Sequence, residues 1–301
     1  MARGKVYLVG AGPGGPDLLT IRGRQVLRLA DVVVYDGLVG RGVLRLIPRR
    51  TRRLRVAKGP RERDPFPQSR IDRLLVEEAN SGKQVVRLKG GDAWIFSRGG
   101  EEAEMLREHR VPFEVVPGVS SALAAPTYAG IPVTDRRYSS SVAIVTGHES
   151  AEKPGRSVHW GRLARSVDTL VVLMGVASWE SIATELLDAG LSPDTPVATI
   201  RWATTGQQRT ELFTLGEARR ASLRARLRSP SVVVVGRTVA LAPQLRWYRG
   251  ERRSASRRFL RVAARLRLER ANARRAGPIP EPRKRGRTKH RPRVLPRPRP
   301  S

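Results

Sequence analysis

Apolar positions in the first half of the chain gather into short, β-branched runs, each closed by Gly, Asp or Pro. Lys5–Gly10 reads as a buried strand, and Val32–Tyr35, Val85–Leu88 and Phe113–Val116 repeat the pattern. Between these runs the spacing changes. Thr20–Leu29 predicts a helix with Thr20 as its N-cap. Gly100–Glu108 is rich in helix formers, and Ser120–Ala129 predicts another helix despite Pro126. Strand–helix alternation of this kind predicts an α/β fold with a mainly parallel sheet covered on both faces. After the loop Ile131–Tyr138 a second set begins, with strands at Val142–Val145, Thr169–Leu173, Val197–Arg201, Glu211–Thr214 and Ser231–Val235. Its helices are Ser178–Ala189 and Gly216–Arg226, and the Gly-, Pro- and charge-rich stretch Glu149–Trp160 reads as a surface loop. Two α/β domains are therefore expected, 1–133 and 134–248, with the boundary in Ile131–Arg137.

Beyond Arg249 the pattern changes again. Phe259–Arg275 predicts a basic amphipathic helix with Phe259, Val262, Ala263 and Leu266 on one side. Gly277–Ser301 is dominated by Pro and Arg and has too little apolar surface for a core. Residues 249–301 are expected to form a basic, largely disordered tail that is dispensable for catalysis.

Composition narrows the classes. The chain has 301 residues and 40% hydrophobic residues, enough for a real core. No apolar run approaches the roughly 20 residues that cross a bilayer. The start, Met1-Ala2-Arg3-Gly4, runs into the first strand without the apolar core of a signal peptide. Absence of cysteine excludes disulfides, Cys-ligated zinc and a thiol nucleophile. A cytoplasmic protein is expected, with no membrane partner. The net charge is +31, and Arg249–Ser301 alone holds 20 Lys and Arg against three Asp and Glu, a surplus of 17. More than half the excess thus sits in the tail, which suits non-specific polyanion binding but lacks interleaved aromatics for stacking on bases. The remaining positive charge of the body suits an anionic ligand.

Two glycine-rich segments carry candidate chemistry. Gly10-Ala11-Gly12-Pro13-Gly14-Gly15 follows a strand, precedes a helix and fits G-x-G-x-x-G, with Asp36 closing the next strand. That matches a dinucleotide fingerprint and admits a nicotinamide oxidoreductase. A tight turn needing glycine for backbone reasons fits equally. Pro13 and Pro16 remove N–H donors that a phosphate cradle would use. The second segment, Leu88-Lys89-Gly90-Gly91-Asp92-Ala93-Trp94-Ile95-Phe96-Ser97-Arg98-Gly99-Gly100-Glu101-Glu102, puts Gly90–Asp92 at the C-terminal end of a strand, where open α/β sheets bind ligands. A dinucleotide enzyme has no need of this second loop.

Taken with the run Val6–Thr20, the segments VVVYDGLV, VVRLKGGDAWIFSRGGEE, VPGVSSALAAPTYAGIPVTDRRY, VTGH, LVVLMGV and PSVVVVGRTV resemble the tetrapyrrole methylase family, on its uroporphyrinogen-methylating branch. The resemblance runs from about Lys5 to Tyr248. It implies two α/β domains with the active site in the cleft between them, a homodimer, and S-adenosylmethionine as methyl donor, with no metal. It implies contacts to that donor from Pro13, Gly90, Gly91, Asp92, Ile95, Ser120, Ser121, Met174, Ala203 and Ser231. The acid/base pair falls on Asp36 and Lys58. The implied reaction is methylation of uroporphyrinogen III at C2 and C7 to precorrin-2, for sirohaem or cobalamin synthesis. Another precorrin methylase or an RNA methyltransferase of the same fold is the nearest alternative. No dehydrogenase–chelatase domain like that of the bifunctional sirohaem synthases is expected. Ala93 stands where the family typically has proline, and Ser120-Ser121 replaces a Thr-Ala pair.

Overall fold

The computed structural model describes residues 4–56, 67–149, 158–218 and 227–275. Two compact units divide the chain, Met1–Ala264 and Arg265–Ser301. The first contains both sheets.

The first sheet is built from β1 (Lys5–Gly10), β2 (Val32–Tyr35), β3 (Arg52–Arg55), β4 (Gln84–Lys89) and β5 (Phe113–Val116). All neighbours pair in parallel, in the order β3-β2-β4-β1-β5. Parallel strands need long crossovers, and helices supply most of them. These are α1 (Ile21–Leu29), the short α2 (Arg41–Leu44), α3 (Gln68–Asn80) and α4 (Gly99–Glu108). Thr20 caps α1 as expected, its hydroxyl accepting from the Gly23 N–H at 3.0 Å. One face of the sheet buries Tyr7, Val9, Val86 and Leu88 with Val26 and Leu27 of α1. The other buries Val6, Leu8 and Val85 with Ile71 and Leu75 of α3 and Leu106 of α4. The chain leaves β1 toward β2 but leaves β4 toward β5, on the opposite side. The crevice between β1 and β4 is therefore the topological switch point, where α/β sheets place ligands.

Helix α5 (Ser121–Tyr128) leads to the second sheet and packs on it. That sheet comprises β6 (Val142–Thr146), β7 (Thr169–Leu173), β8 (Pro196–Arg201), β9 (Arg209–Thr214), β10 (Ser231–Gly236) and β11 (Arg252–Ala255). Its order is β11-β9-β8-β10-β7-β6, with antiparallel pairing at β9-β8, β8-β10 and β10-β7. This sheet is mixed because β8 and β9 are joined by a short hairpin, which can only be antiparallel. Helices α6 (Trp160–Ser166) and α7 (Trp179–Asp188) bury Trp160, Trp179 and Ile182 against Leu170, Val172 and Val233.

The expected tail boundary at residue 249 is corrected by β11. Strand Arg252–Ala255 pairs in parallel with β9, Glu251 is buried, and α8 (Arg257–Arg275) buries Phe259 completely. The ordered body thus runs past 249. The expected disorder of Gly277–Ser301, and the helix expected to continue to Arg226, lie outside the described residues; a short 3-10 turn occupies Leu215–Glu217. No helix among the described residues is long and apolar enough to cross a membrane.

Candidate active site

The C-terminal edge of the first sheet carries both glycine loops. Gly12 and Gly91 form a two-bond bridge across the switch point, Gly12 N–H to Gly91 O at 3.0 Å and Gly91 N–H to Gly12 O at 2.8 Å. Gly118, after β5, completes a three-way backbone contact. A Cβ on Gly10 would lie 2.6 Å from Gly118 Cα, and one on Gly118 would lie 2.5 Å from Gly91 O. Asp92 latches the second glycine loop to the segment after β5. Its Oδ2 accepts from the Gly118 N–H at 2.9 Å, while Oδ1 accepts from Trp94 and Ile95 N–H at 2.8 and 3.1 Å. Gly91 has φ +73°, and a Cβ there would meet nothing nearer than Ser121 N at 3.7 Å. Above Gly91 a side-chain carbon would meet nothing tighter than ordinary contact, which leaves a cradle open to a ligand beside the start of α5. There Ser120 caps the helix, its hydroxyl accepting from the Ala122 N–H at 3.2 Å, and Ser121 is the first helical residue.

The first glycine loop spends its donors on protein. Ala11 N–H goes to Lys89 O, Gly12 N–H to Gly91 O and Gly15 N–H to the Thr204 hydroxyl, while Pro13 and Pro16 have none. Helix α1 starts only at Ile21, and Thr20 already takes its Gly23 donor. A pyrophosphate needs several free N–H groups at a helix start, and this loop does not offer them. The dinucleotide reading does not fit.

The second sheet supplies the facing wall. The C-terminal ends of β7 and β8 and the start of β10 share one edge, which carries Met174, Trp202–Thr205 and Ser231. Met174 has φ +55° and is 49% exposed, so a long apolar side chain stands at a strained turn rather than in the core. Thr204, also at positive φ, is buried and receives the Gly15 N–H at 3.0 Å. A Cβ on Gly14 would lie 3.3 Å from Ala203 O. Loop 202–205 therefore touches the first glycine loop directly. Ser231 directs its hydroxyl to Arg228 O at 2.6 Å.

Asp36 follows β2, its N–H bonded to Leu88 O at 3.2 Å. Leu38, two residues on, would lie 3.1 Å from a Cβ on Gly90. The Asp36 carboxylate is paired with Arg87 (Oδ1 to Nη2, 2.6 Å), which continues to Glu102 at 3.0 Å. Lys89 Nζ binds both Glu102 oxygens at 2.8 and 2.9 Å. Burial works against the charge of Arg87, but Asp36 and Glu102 outweigh it and hold the guanidinium above its usual value. Burial likewise opposes ionisation of Glu102, yet Arg87 and Lys89 bring it below the ordinary carboxylate range. Burial, then repulsion from Arg87, lowers Lys89.

The structure thus brings Pro13, Gly90, Gly91, Asp92, Ser120 and Ser121 to one edge and sets Ala203 against it. Ile95 lies on the neighbouring exposed loop beside Trp94 and Phe96. Met174 and Ser231 share the edge of the second sheet. Lys58 lies outside the described residues. Thr204, Gly118 and the Arg87–Glu102–Lys89 array were not among the expected site residues. A readable signal existed for the array: two cations at alternate positions of an otherwise apolar strand require buried anions. No cluster of three or more potential metal ligands occurs among the described residues.

The family profile of the tetrapyrrole (corrin/porphyrin) methylases matches residues 5–219. The uroporphyrinogen-III C-methyltransferase of Bacillus subtilis is 43% identical over 248 residues, covering 82% of this chain and 96% of its own. Siroheme synthase 1 of Halorhodospira halophila is 47% identical over 252 residues, covering 83% of this chain. This chain spans only about half the length of that relative, 51%. Among solved structures, uroporphyrin-III C-methyltransferase of Thermus thermophilus complexed with S-adenyl homocysteine aligns with a TM-score of 0.67 at 40% identity, over 78% of this chain and 99% of its own. A profile matching most of the body, and a relative matched along nearly its whole length, show that this chain belongs to the tetrapyrrole methylase family.

Proposed function

We propose that this protein transfers methyl groups from S-adenosylmethionine to C2 and C7 of uroporphyrinogen III, giving precorrin-2 for sirohaem or cobalamin synthesis. The carrying observation is the open cradle at Gly91, set on a chain 43% identical to a named uroporphyrinogen-III C-methyltransferase. The residues fit a methyl donor of this kind. Glycine at 91 lets a ligand approach the backbone, Gly90 makes room for Leu38 beside it, and Pro13, Asp92, Ile95, Ser120 and Ser121 border the same edge. Met174, Ala203 and Ser231 would close over it from the second sheet.

A sulfonium already carries a good leaving group, so the protein's work is alignment and exclusion of water. Carbon methylation leaves a cationic ring that must lose a proton, and Asp36 would accept it. Lys58 would donate a proton elsewhere on the ring, as the family resemblance implies. Arginines would pair with the substrate's carboxylates through charge-assisted bonds. The protein is proposed to work as a cytoplasmic homodimer, with its basic C-terminal segment binding polyanions without sequence preference.

Incubation with uroporphyrinogen III and methyl-labelled S-adenosylmethionine, followed by mass spectrometry, should show two methyl groups added. Label on a later precorrin or on RNA alone would overturn the substrate. Calorimetry should show binding of S-adenosylhomocysteine and none of NAD. Asp36→Asn should lower turnover by about 10²–10⁴-fold, the usual contribution of a general base.

A further inference from the structure

Four charged side chains run inward from the site edge, and the reaction as described uses only the first. Side-chain exposure falls from 27% at Asp36 to 3% at Arg87, 0% at Glu102 and 1% at Lys89. Arg87 and Lys89 alternate on β4 and meet Glu102 from α4. Lys89 alone would neutralise Glu102, since its Nζ bridges both carboxylate oxygens. Gln68 adds a further hydrogen bond to Glu102 at 3.2 Å. A second buried cation is superfluous for Glu102, and burying it unpaired would be costly. The counter-charge of Arg87 is Asp36. The arginine also leaves Nη1 buried without a hydrogen-bond partner among the described residues, a cost that a purely packing role would not select.

The contact is one-sided. Arg87 Nη2 holds Oδ1 of Asp36 at 2.6 Å, and Oδ2 accepts no hydrogen bond among the described residues. Glu102 in turn holds Nε of the same planar guanidinium at 3.0 Å, so the fork cannot swing. We propose that Arg87, braced by Glu102, is a positioning residue that fixes the Asp36 carboxylate with Oδ2 as the proton-accepting oxygen. In that step a C–H bond of the methylene bridge next to the methylated pyrrole breaks, and its electron pair forms a carbon–carbon double bond that neutralises the cationic ring. The proton forms the O–H bond on Asp36 Oδ2 and then passes to solvent. This rests on Asp36 being the base, and the test separates the two claims.

The experiment is a double-mutant cycle of Arg87→Lys with Asp36→Asn, assayed on the full chain with uroporphyrinogen III. Lysine keeps the charge but cannot hold two carboxylates in one plane. Arg87→Lys alone should fold, bind S-adenosylhomocysteine with unchanged affinity and keep KM, while kcat falls about tenfold or more, as displaced catalytic groups do. In the Asp36→Asn background the same change should cost less than about twofold, because a positioning residue has nothing left to position. Equal costs in both backgrounds would overturn the proposal and leave Asp36 as the base. Loss confined to KM would overturn it as well. Wild-type kcat in Asp36→Asn alone would overturn the reading of Asp36, and this proposal with it. Arg87→Gln should lower kcat further, by about 10²-fold; if it fails to fold, the lysine cycle still decides.

Discussion

The site turns on glycines that look alike in sequence and differ in surroundings. Gly91 sits at φ +73°, with the Cβ direction open, whereas a Cβ on Gly118 would press on Gly91 O and Gly10 Cα at 2.5 and 2.7 Å. Gly91→Ala should therefore fold, paying about 1–2 kcal/mol for a left-handed alanine. Such a cost corresponds to a melting temperature lower by roughly 2–8 °C in a domain of this size. Its methyl group fills the cradle, so affinity for S-adenosylhomocysteine should drop at least tenfold by calorimetry. Gly118→Ala must instead force two loops apart and should melt lower than Gly91→Ala. The reverse order of melting temperatures would refute this assignment of open and closed glycines. A separate residue, Glu114, is held down to about 2 by hydrogen bonds from Arg22 and then Lys5, at 2.8 and 2.7 Å. Its folded value lies below the unfolded one, so the stability it contributes is present above about pH 4.5 and is lost as pH falls toward 2. Arg22→Ala should narrow that acid-side loss, measured as the melting temperature between pH 6 and pH 3. The group is near the surface, so the effect should be small and should shrink in high salt.

At the level of elements, legibility followed burial. β1, β2 and β7 were readable to the residue because apolar β-branched runs on a doubly covered sheet have sharp ends, and the half-buried edge strand β5 was readable from its own short apolar run. The edge strands β3 and β11, Arg52–Arg55 and Arg252–Ala255, were not anticipated. Their charged faces look like loop, and charge is how exposed edges avoid pairing with other chains. Helix α3 carries a clear helical repeat at Ile71, Leu75 and Ala79, but it follows a basic, Pro-containing stretch and was also unanticipated. In the site, the glycine turns were legible because backbone geometry demands the residue. Contacts made by register and tertiary approach were not. Thr204 is one of these: nothing in Arg201-Trp202-Ala203-Thr204-Thr205 marks the threonine that meets Gly15 189 positions earlier. Replacing it with the isosteric valine leaves the Gly15 N–H buried and unpaired, a loss of about 1–3 kcal/mol. Thr204→Val should melt lower and bind S-adenosylhomocysteine more weakly, while Thr205→Val should do neither to the same extent.

For the molecule as a whole, the segment after Tyr248 decides how the two sheets meet. Glu251, fully desolvated at its carboxylate, accepts from Gln208 at 3.0 Å and Thr210 at 2.8 Å and pairs with Arg253 at 2.5 Å. Gln208 accepts the Thr204 N–H at 2.9 Å and donates to Tyr128 O at 3.2 Å. Arg253 reaches Ala129 O at 2.7 Å. One buried polar network thus joins the end of α5, the loop that holds the first glycine turn, and strand β11. A chain ending at Gly250 would remove Glu251 and Arg253 from it, together with the rest of β11 and the buried Phe259. Gln208 and Thr210 would then be left buried without their acceptor, at about 1–3 kcal/mol for each unsatisfied group, a large share of a domain's stability. That truncation should lose cofactor binding together with its cooperative melting transition. A chain ending at Arg275 keeps all of these groups and should retain full kcat and affinity for S-adenosylhomocysteine. It removes nine Lys and Arg against one Glu, so the two activities should separate. Polyanion binding by the full chain should weaken steeply with salt, because each neutralised phosphate releases a counterion, and the slope should flatten in the chain ending at Arg275. Unchanged salt slopes in the two chains would move polyanion binding onto the body, while a catalytic defect in the chain ending at Arg275 would make residues 276–301 part of the enzyme.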